Sequence, residues 1–492
     1  MKNSTEIVFV DPPLIDDSGN ILEVKGHLPQ LGMLTVAAVV RNAGYSVAYV
    51  DSVAMKYSVS DVINEIESYN PRYIGFTAMT HNISSVAYIA KIIKERRKDV
   101  KIILGGVHIT SATAETYNKY PGVFDYSVIG EGEDTIIDLL ECLETKKSLT
   151  NVPGIAYCED NEICKTPSRD IINDMDRLPF PAWDLLTGMN QNVYEANFIS
   201  SGKGKTNHLL TSRGCPAMCA FCDTSVNGKK IRGFTPDYVL EMMNVLVNKY
   251  NVNDIQINDD TFVSLKKRMY SICEKLIDTK LNISWSCDAR VNNMTKEGVE
   301  LMAEAGCWQI AYGVETGSER IMKWLQKKIT FEQIERAMRW TYDAGINTKG
   351  FFILGHPTES RQTLEETVQL MLRLPLDVIG LTFFTVFPGS PCYTDIEKYG
   401  KFNGDWSLTN TYTAGNFVAN NFTKDELIRL RYDALRRFYF RPKYVLRQLR
   451  HVKKDPTSFF MLSYGLVKAV EKVLLPNIGF TNNKKAPIIL HQ

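Results

Sequence analysis

Short apolar strand candidates alternate with helix-spaced segments twice along these 492 residues, once over 6–150 and again from about 205 to 386. Such alternation folds as a parallel sheet covered by helices, because each crossover helix must bury its apolar stripe on a sheet face. In the first region the strands read Ile7–Val10, Ser46–Val50, Tyr73–Thr77, Lys101–Leu104 and Tyr126–Ile129. In the second they read Asn207–Thr211, Asp254–Asn258, Ser284–Asp288, Gln309–Val314, Thr348–Leu354 and Val378–Val386. The expected fold is α/β. A Rossmann-like doubly wound parallel sheet occupies 1–150, and a linker over 151–200 carries the proline-rich stretch Leu178–Trp183. A partial (β/α)6 barrel occupies 201–395 and a helical C-terminal region occupies 396–492.

Composition narrows the setting. A formal net charge of +1 names no partner by bulk electrostatics, and no nucleic acid is expected. The first residues lack the apolar core of a signal peptide, and no apolar run approaches the ~20 residues that span a bilayer. A cytoplasmic location is expected. Ten cysteines in so long a chain do not make a disulfide scaffold, and seven of them are scattered as small buried hydrophobes would be.

Ligands of open parallel sheets bind at the carboxyl ends of the strands. In the first region those ends carry Asp11-Pro12-Pro13, Thr77, Gly105-Gly106 and Gly130-Glu131-Gly132. Glycine admits close backbone approach as well as tight turns. No G-x-G-x-x-G follows the first strand, which argues against a dinucleotide. In the second region the ends are polar: Asp259-Asp260, Asp288 with Arg290, Glu315-Thr316-Gly317-Ser318 and Gly355-His356-Pro357. A barrel brings such ends together at one mouth.

The first strand of the second region leads into Cys215-Pro-Ala-Met-Cys219-Ala-Phe-Cys222. Thiolates are soft ligands for zinc, copper(I) and iron–sulfur centres. Closed zinc sites and electron-transfer clusters take four protein ligands. Three local thiolates would leave one iron of a cluster open to substrate or cofactor.

This triplet, with Phe221 before its last cysteine, resembles the signature of radical S-adenosylmethionine (SAM) enzymes. The first region, through Leu31-Gly32, Gly105-Gly106-Val107-His108 and Gly130-Glu131-Gly132-Glu133, resembles the cobalamin-binding domain fused to one branch of that family. The resemblance implies a 4Fe–4S cluster on Cys215, Cys219 and Cys222, with SAM contacted by Asp260 (or Asp259), Arg290 and Glu315. It implies a cobalamin near Gly32, Thr77, Gly105, Gly106, His108, Gly130, Glu131 and Gly132. Asp-x-His-x-x-Gly is absent, so the cobalt would lack a histidine ligand from the protein. The implied activity is methylation of an unactivated carbon in a small-molecule substrate, a lipid or tetrapyrrole among the candidates. An external electron donor such as flavodoxin or ferredoxin is implied. Cyclisation or rearrangement is the related alternative, and a non-catalytic iron–sulfur or zinc protein the unrelated one.

Between Arg429 and Lys454 ten bases face the single acid Asp433. Two readings stay open: peripheral contact with an anionic membrane, or a basic helix face packed on the barrel.

Overall fold

The computed structural model describes residues 5–16, 19–22, 24–190, 193–194, 204–412, 415–442, 444 and 488–489. Its first sheet runs, in spatial order, Val47–Asp51, Ile7–Asp11, Tyr73–Thr77, Lys101–Gly105 and Tyr126–Val128, all parallel. The chain steps one way from Ile7–Asp11 and then reverses, so the ends at Asp11 and Thr77 flank the point where a doubly wound sheet opens. Strand periodicity divides the core. Ile7 and Phe9 join the helices Leu31–Asn42 and Glu133–Thr145 on one face, while Val8 and Val10 join Val59–Ser68 and Ile83–Arg96 on the other.

The stretch read as linker from 151 begins differently. Ile155–Glu159 and Glu162–Lys165 form a hairpin that extends the sheet antiparallel beyond Tyr126–Val128. Its two-residue turn, Asp160 and Asn161, has both φ angles positive (49° and 64°), as a type I′ connection requires. Beyond it, the proline-rich stretch is a strap, with Trp183 buried against Tyr250 and Ala182 N donating to Leu34 O.

The second sheet keeps sequence order without a break: Thr206–Leu209, Asp254–Ile257, Ser284–Ala289, Cys307–Glu315, Asn347–Leu354 and Val378–Phe383, all parallel. That is the partial barrel. Ile255, Ile257, Trp285, Cys287, Ile310, Tyr312, Phe352 and Leu354 alternate onto its buried helix-facing side. The helices Pro236–Tyr250, Lys266–Thr279, Lys296–Glu304, Phe331–Asp343 and Arg361–Arg373 cover that side. Four of these five start behind a Ser or Thr cap; Lys266–Thr279 is the exception.

The region after 395 is less helical than its sequence suggests. A two-stranded antiparallel pair, Gly400–Phe402 with Phe417–Ala419, precedes the helix Lys424–Tyr439. Three arginines of that helix and its end are engaged by the barrel and the loop after it, while Arg429 and Arg436 are exposed. Arg437 makes two bonds to Glu365 (2.6 and 2.7 Å), Arg431 donates to Tyr412 O (2.9 Å) and Arg441 donates to Leu372 O (2.5 Å). The rest of the basic run lies outside the described residues. Among the described residues no helix is long and apolar enough to cross a membrane.

Gly317, just beyond the fourth barrel strand, sits against the helix Arg361–Arg373: a Cβ there would lie 2.4 Å from the Glu366 carbonyl oxygen. Backbone cannot yield as a flexible side chain does. Gly317→Ala is expected to lose about 1–3 kcal/mol of stability, measured by urea unfolding.

Candidate functional site: the cysteine loop and the two strand-end edges

Two aspartates after the second barrel strand shape the cysteine loop. Asp259, 3 % exposed, accepts from Thr211 N (2.5 Å), Thr211 Oγ1 (2.6 Å) and Ser212 Oγ (2.6 Å). Burial raises its pKa, with Arg268 and these donors opposing. Asp260 Oδ2 accepts from Gly214 N (2.8 Å) and Asn227 Nδ2 (3.2 Å). Ser212–Arg213 pairs antiparallel with Arg232–Gly233 and closes the base of the loop. Gly214 has φ 92°, and a Cβ there would lie 2.2 Å from Lys230 O, so the turn into Cys215 requires glycine.

Cys219 is buried, Cys215 half-buried and Cys222 exposed. Burial and the neighbouring thiolates push the Cys222 thiol up to about 12, and Cys215 is raised chiefly by burial. Bound iron would reverse that, since a coordinating thiol is deprotonated.

Around this loop the structure gathers two of the SAM-assigned residues. Arg290 places Nη1 3.7 Å from Cys219 Sγ and donates through Nη2 to Lys327 O at 2.6 Å. Glu315 is buried and pairs with Lys327 Nζ at 2.5 Å. Its φ is 68°, where the register of the fourth strand shifts between Gly313 and Glu315. Such a bulge re-aims a side chain at a strand end. Lys327 also lies 5.9 Å from the centre of the Phe221 ring, tying the Glu315 carboxylate to the cysteine loop. Sequence reading missed Lys327, which follows the short helix Glu319–Trp324 in no periodic pattern. Asp260 also stands beside the cysteines, with its Oδ2 engaged by Gly214 N and Asn227 Nδ2.

Nearby, Glu359 accepts from Gly355 N (2.5 Å) and His356 N (3.2 Å) through one oxygen, while its other oxygen is buried without a partner. Burial raises this carboxyl to about 8, against those donors and Arg320.

On the first sheet, Gly106 has φ 100° and a Cβ there would meet Thr77 Oγ1 at 2.6 Å, so the two strand ends approach as only glycine allows. Gly130, with φ 81°, and Gly32 both face open space. Gly105 has only the Phe76 carbonyl near, at 3.8 Å. These glycines leave room for a large ligand along the edge. Three other cobalamin-assigned residues are occupied otherwise. His108 is fully buried, with Nδ1 3.2 Å from Thr80 Oγ1, Nε2 3.1 Å from Thr116 Oγ1 and the Trp406 ring centre at 4.5 Å. Burial lowers it to about 3, so it is a neutral joint with both nitrogens engaged. Glu131 accepts from Arg232 Nη1 (2.8 and 2.9 Å), Arg213 Nη1 (2.9 Å) and Ile172 N (2.7 Å). Gly132 packs against Val36 and Val128.

Glu133 completes the network, accepting from Arg213 Nη2 at 2.5 Å. A second seam joins Ser111 Oγ to Asp223 Oδ2 (2.5 Å) and Ser225 Oγ (2.7 Å). The cysteine loop is therefore clamped directly to the edge of the first sheet.

Residues 18–140 match the B12 binding domain family, and residues 209–371 match the radical SAM superfamily. An uncharacterized methyltransferase of Pyrococcus horikoshii is 31% identical over 449 residues, covering 90% of this chain and 94% of that protein. The chain belongs to the cobalamin-binding radical SAM enzymes. The anaerobic magnesium-protoporphyrin IX monomethyl ester cyclase of Rubrivivax gelatinosus is 28% identical over 400 residues, covering 77% of this chain and 69% of that protein. The cobalamin-dependent SAM radical enzyme OxsB, solved with aqua-cobalamin and SAM bound, superposes with a TM-score of 0.73. That match covers 96% of this chain and 72% of OxsB at 18% identity, a likeness of fold. The cofactors of this radical SAM enzyme are a 4Fe–4S cluster, SAM and cobalamin.

Two outcomes test the geometry. Arg213→Met strands the buried Glu133 and part of Glu131, and breaking such a pair is expected to cost about 3–5 kcal/mol. A lowered thermal midpoint should accompany lower iron content after anaerobic reconstitution; full iron content would show that the network holds the domains alone. Glu359 should carry a pH signature. In the fold it keeps its proton up to about pH 8, whereas the unfolded chain releases it near the ordinary value of 4.5. The native state thus binds the extra proton in that window, and stability falls as pH rises through it. Glu359→Gln should flatten that slope in urea unfolding measured across the window.

Proposed function

We propose that this enzyme transfers a methyl group from cobalamin to an unactivated carbon of a small-molecule substrate. Cys215, Cys219 and Cys222 would hold the cluster, and Gly32, Thr77, Gly105, Gly106 and Gly130 would border the cobalamin. The observation that carries the reading is the clamp: Arg213 and Asp223, on the cysteine loop, bond to Glu131, Glu133 and Ser111 of the cobalamin-binding domain. Two cofactor edges joined this tightly suit chemistry that passes between them. When bound, the cluster with SAM supplies one-electron, hydrogen-abstracting chemistry, and cobalamin supplies the methyl group.

The chain's own residues position and insulate. Arg290 presents a guanidinium beside Cys219, suited to a carboxylate such as that of SAM. Glu315, held by Lys327, offers an acceptor for hydroxyl or amino groups. Asp259 and Asp260 keep the loop in shape. Met218 and Cys222 are exposed, which supports electron delivery from an external carrier such as flavodoxin or ferredoxin. Ten free cysteines support a reducing, cytoplasmic setting.

Similarity to the cyclase, named for a tetrapyrrole, favours a second reading in which the same radical chemistry closes a ring, and it supports a hydrophobic substrate. Arg431, Arg437 and Arg441 support the packed reading for the described part of the basic tail. Methyl-labelled SAM separates the two reactions. Methylation predicts label in the product together with 5′-deoxyadenosine, while cyclisation predicts the nucleoside with no label transferred. A protein that forms no 5′-deoxyadenosine on reduction would be neither. Cys219→Ala should abolish cluster absorbance and both products.

A further inference from the structure

Asp11 and Asp51 end adjacent parallel strands of the first sheet and stand opposite each other in its register. His27 reaches between them from the loop before the helix Leu31–Asn42. Its Nε2 lies 3.1 Å from Asp51 Oδ1 and 3.6 Å from Asp11 Oδ2. All three are buried, at 3, 8 and 6 % exposure for Asp11, His27 and Asp51. Tyr194 closes over them, donating its hydroxyl to Asp51 Oδ2 at 2.8 Å, and Asp51 Oδ1 also accepts from Ala54 N at 3.0 Å.

The arrangement is unfinished as a set of hydrogen bonds. The single Nε2 proton serves Asp51, and Asp11 Oδ2 is left buried with no hydrogen-bond partner, only that nitrogen at 3.6 Å. Tyr49, two residues before Asp51 on the same strand face, has a buried hydroxyl that also lacks a partner. A buried polar atom left unpaired costs about 1–3 kcal/mol, more when charged. One imidazole nitrogen and two carboxylate oxygens, all within 4.8 Å of one another, instead match the spacing of ligands about an ion. With bonds of about 2.0–2.2 Å, neighbouring ligand atoms lie roughly 3–3.6 Å apart.

We propose that Asp11, His27 and Asp51 form a binding site for one divalent transition-metal ion, best matched to zinc, separate from the iron–sulfur cluster. One imidazole and two carboxylates suit zinc, while a thiolate-free set disfavours copper(I). Tyr49 is available to a metal-bound water. The role is structural. Two residues beyond His27, Pro29 O accepts from His208 Nε2 (2.6 Å), and His208 lies on the first barrel strand. An ion would therefore fix the loop on which the barrel rests.

The test uses the full-length, untagged chain with Cys215, Cys219 and Cys222 all replaced by Ala, so that zinc cannot occupy the cluster thiolates. After incubation with zinc and gel filtration, mass spectrometry should find about one zinc per chain, and zinc should raise the thermal midpoint. Adding Asp51→Asn should weaken zinc binding roughly 100-fold or more. Asp11→Asn, which leaves the Tyr194 and Ala54 bonds in place, makes the same test if Asp51→Asn does not fold. The proposal is overturned if the parent retains no zinc and its midpoint does not move. Equal zinc retention by parent and folded Asn variant would overturn it as well.

Discussion

The buried ion pairs of Arg213 and Arg232 with Glu131 and Glu133 are the interaction on which the rest of the molecule depends. The arginine side chains are 11 and 2 % exposed and the glutamates 4 and 3 %. Charges so buried are tolerated only when paired and hydrogen-bonded, and their net gain over apolar packing is small. Their value lies in register. Sliding one sheet against the other would strand at least one charge away from water. Arg213 stands two residues before Cys215, and Glu131 follows the last parallel strand of the first sheet. The position of the cysteine loop is thus set by the neighbouring domain as much as by the barrel that carries it.

That division of labour explains the use of acidic residues at the barrel mouth. Asp259 and Asp260 are spent inside the loop, on Thr211, Ser212, Gly214 and Asn227. Arg290 and Glu315 are held from behind, both through Lys327, one by its carbonyl and the other by its ammonium. Glu315 in the left-handed region costs of order 1–3 kcal/mol, which persists only where the surroundings over-determine it. The register shift and the Lys327 pair supply that determination.

Much of this was legible in the residues. The helices Val59–Ser68, Lys266–Thr279 and Arg361–Arg373 end where their apolar spacing ends. Strands of the first sheet such as Ile7–Val10 and Ile102–Leu104 are continuous apolar runs because parallel sheets are buried on both faces, whereas barrel strands such as Ser284–Ala289 alternate polar with apolar residues. The hairpin 155–165 escaped because edge strands carry polar, exposed residues such as Cys158, Glu159 and Glu162, which dilute the pattern. Sequence also locates a residue at a strand end without showing what it faces. Glu131 and His108 lie at the ligand-binding edge, yet their partners are Arg213 and Arg232 in one case, and Thr80, Thr116 and Trp406 in the other. The Asp11, His27 and Asp51 cluster was hidden for the same reason: three separated segments meet only once the sheet has formed.

The basic run after Lys424 shows how composition misleads when partners are distant. Arginine-rich helices suggest an anionic surface. Here Arg441 donates to the carbonyls of Leu372 and Met371 in the last turn of the helix Arg361–Arg373. Those carbonyls have no partners within their own helix, and the helix dipole makes that end negative. Arg431 lies over the rings of Phe383 and Tyr412, and Arg441 over Phe438. Guanidinium groups suit this work because they are planar and weakly hydrated. The charges of Arg431, Arg437 and Arg441 are therefore answered from within, by carbonyls, rings and Glu365 on the barrel, while Arg429 and Arg436 stay exposed.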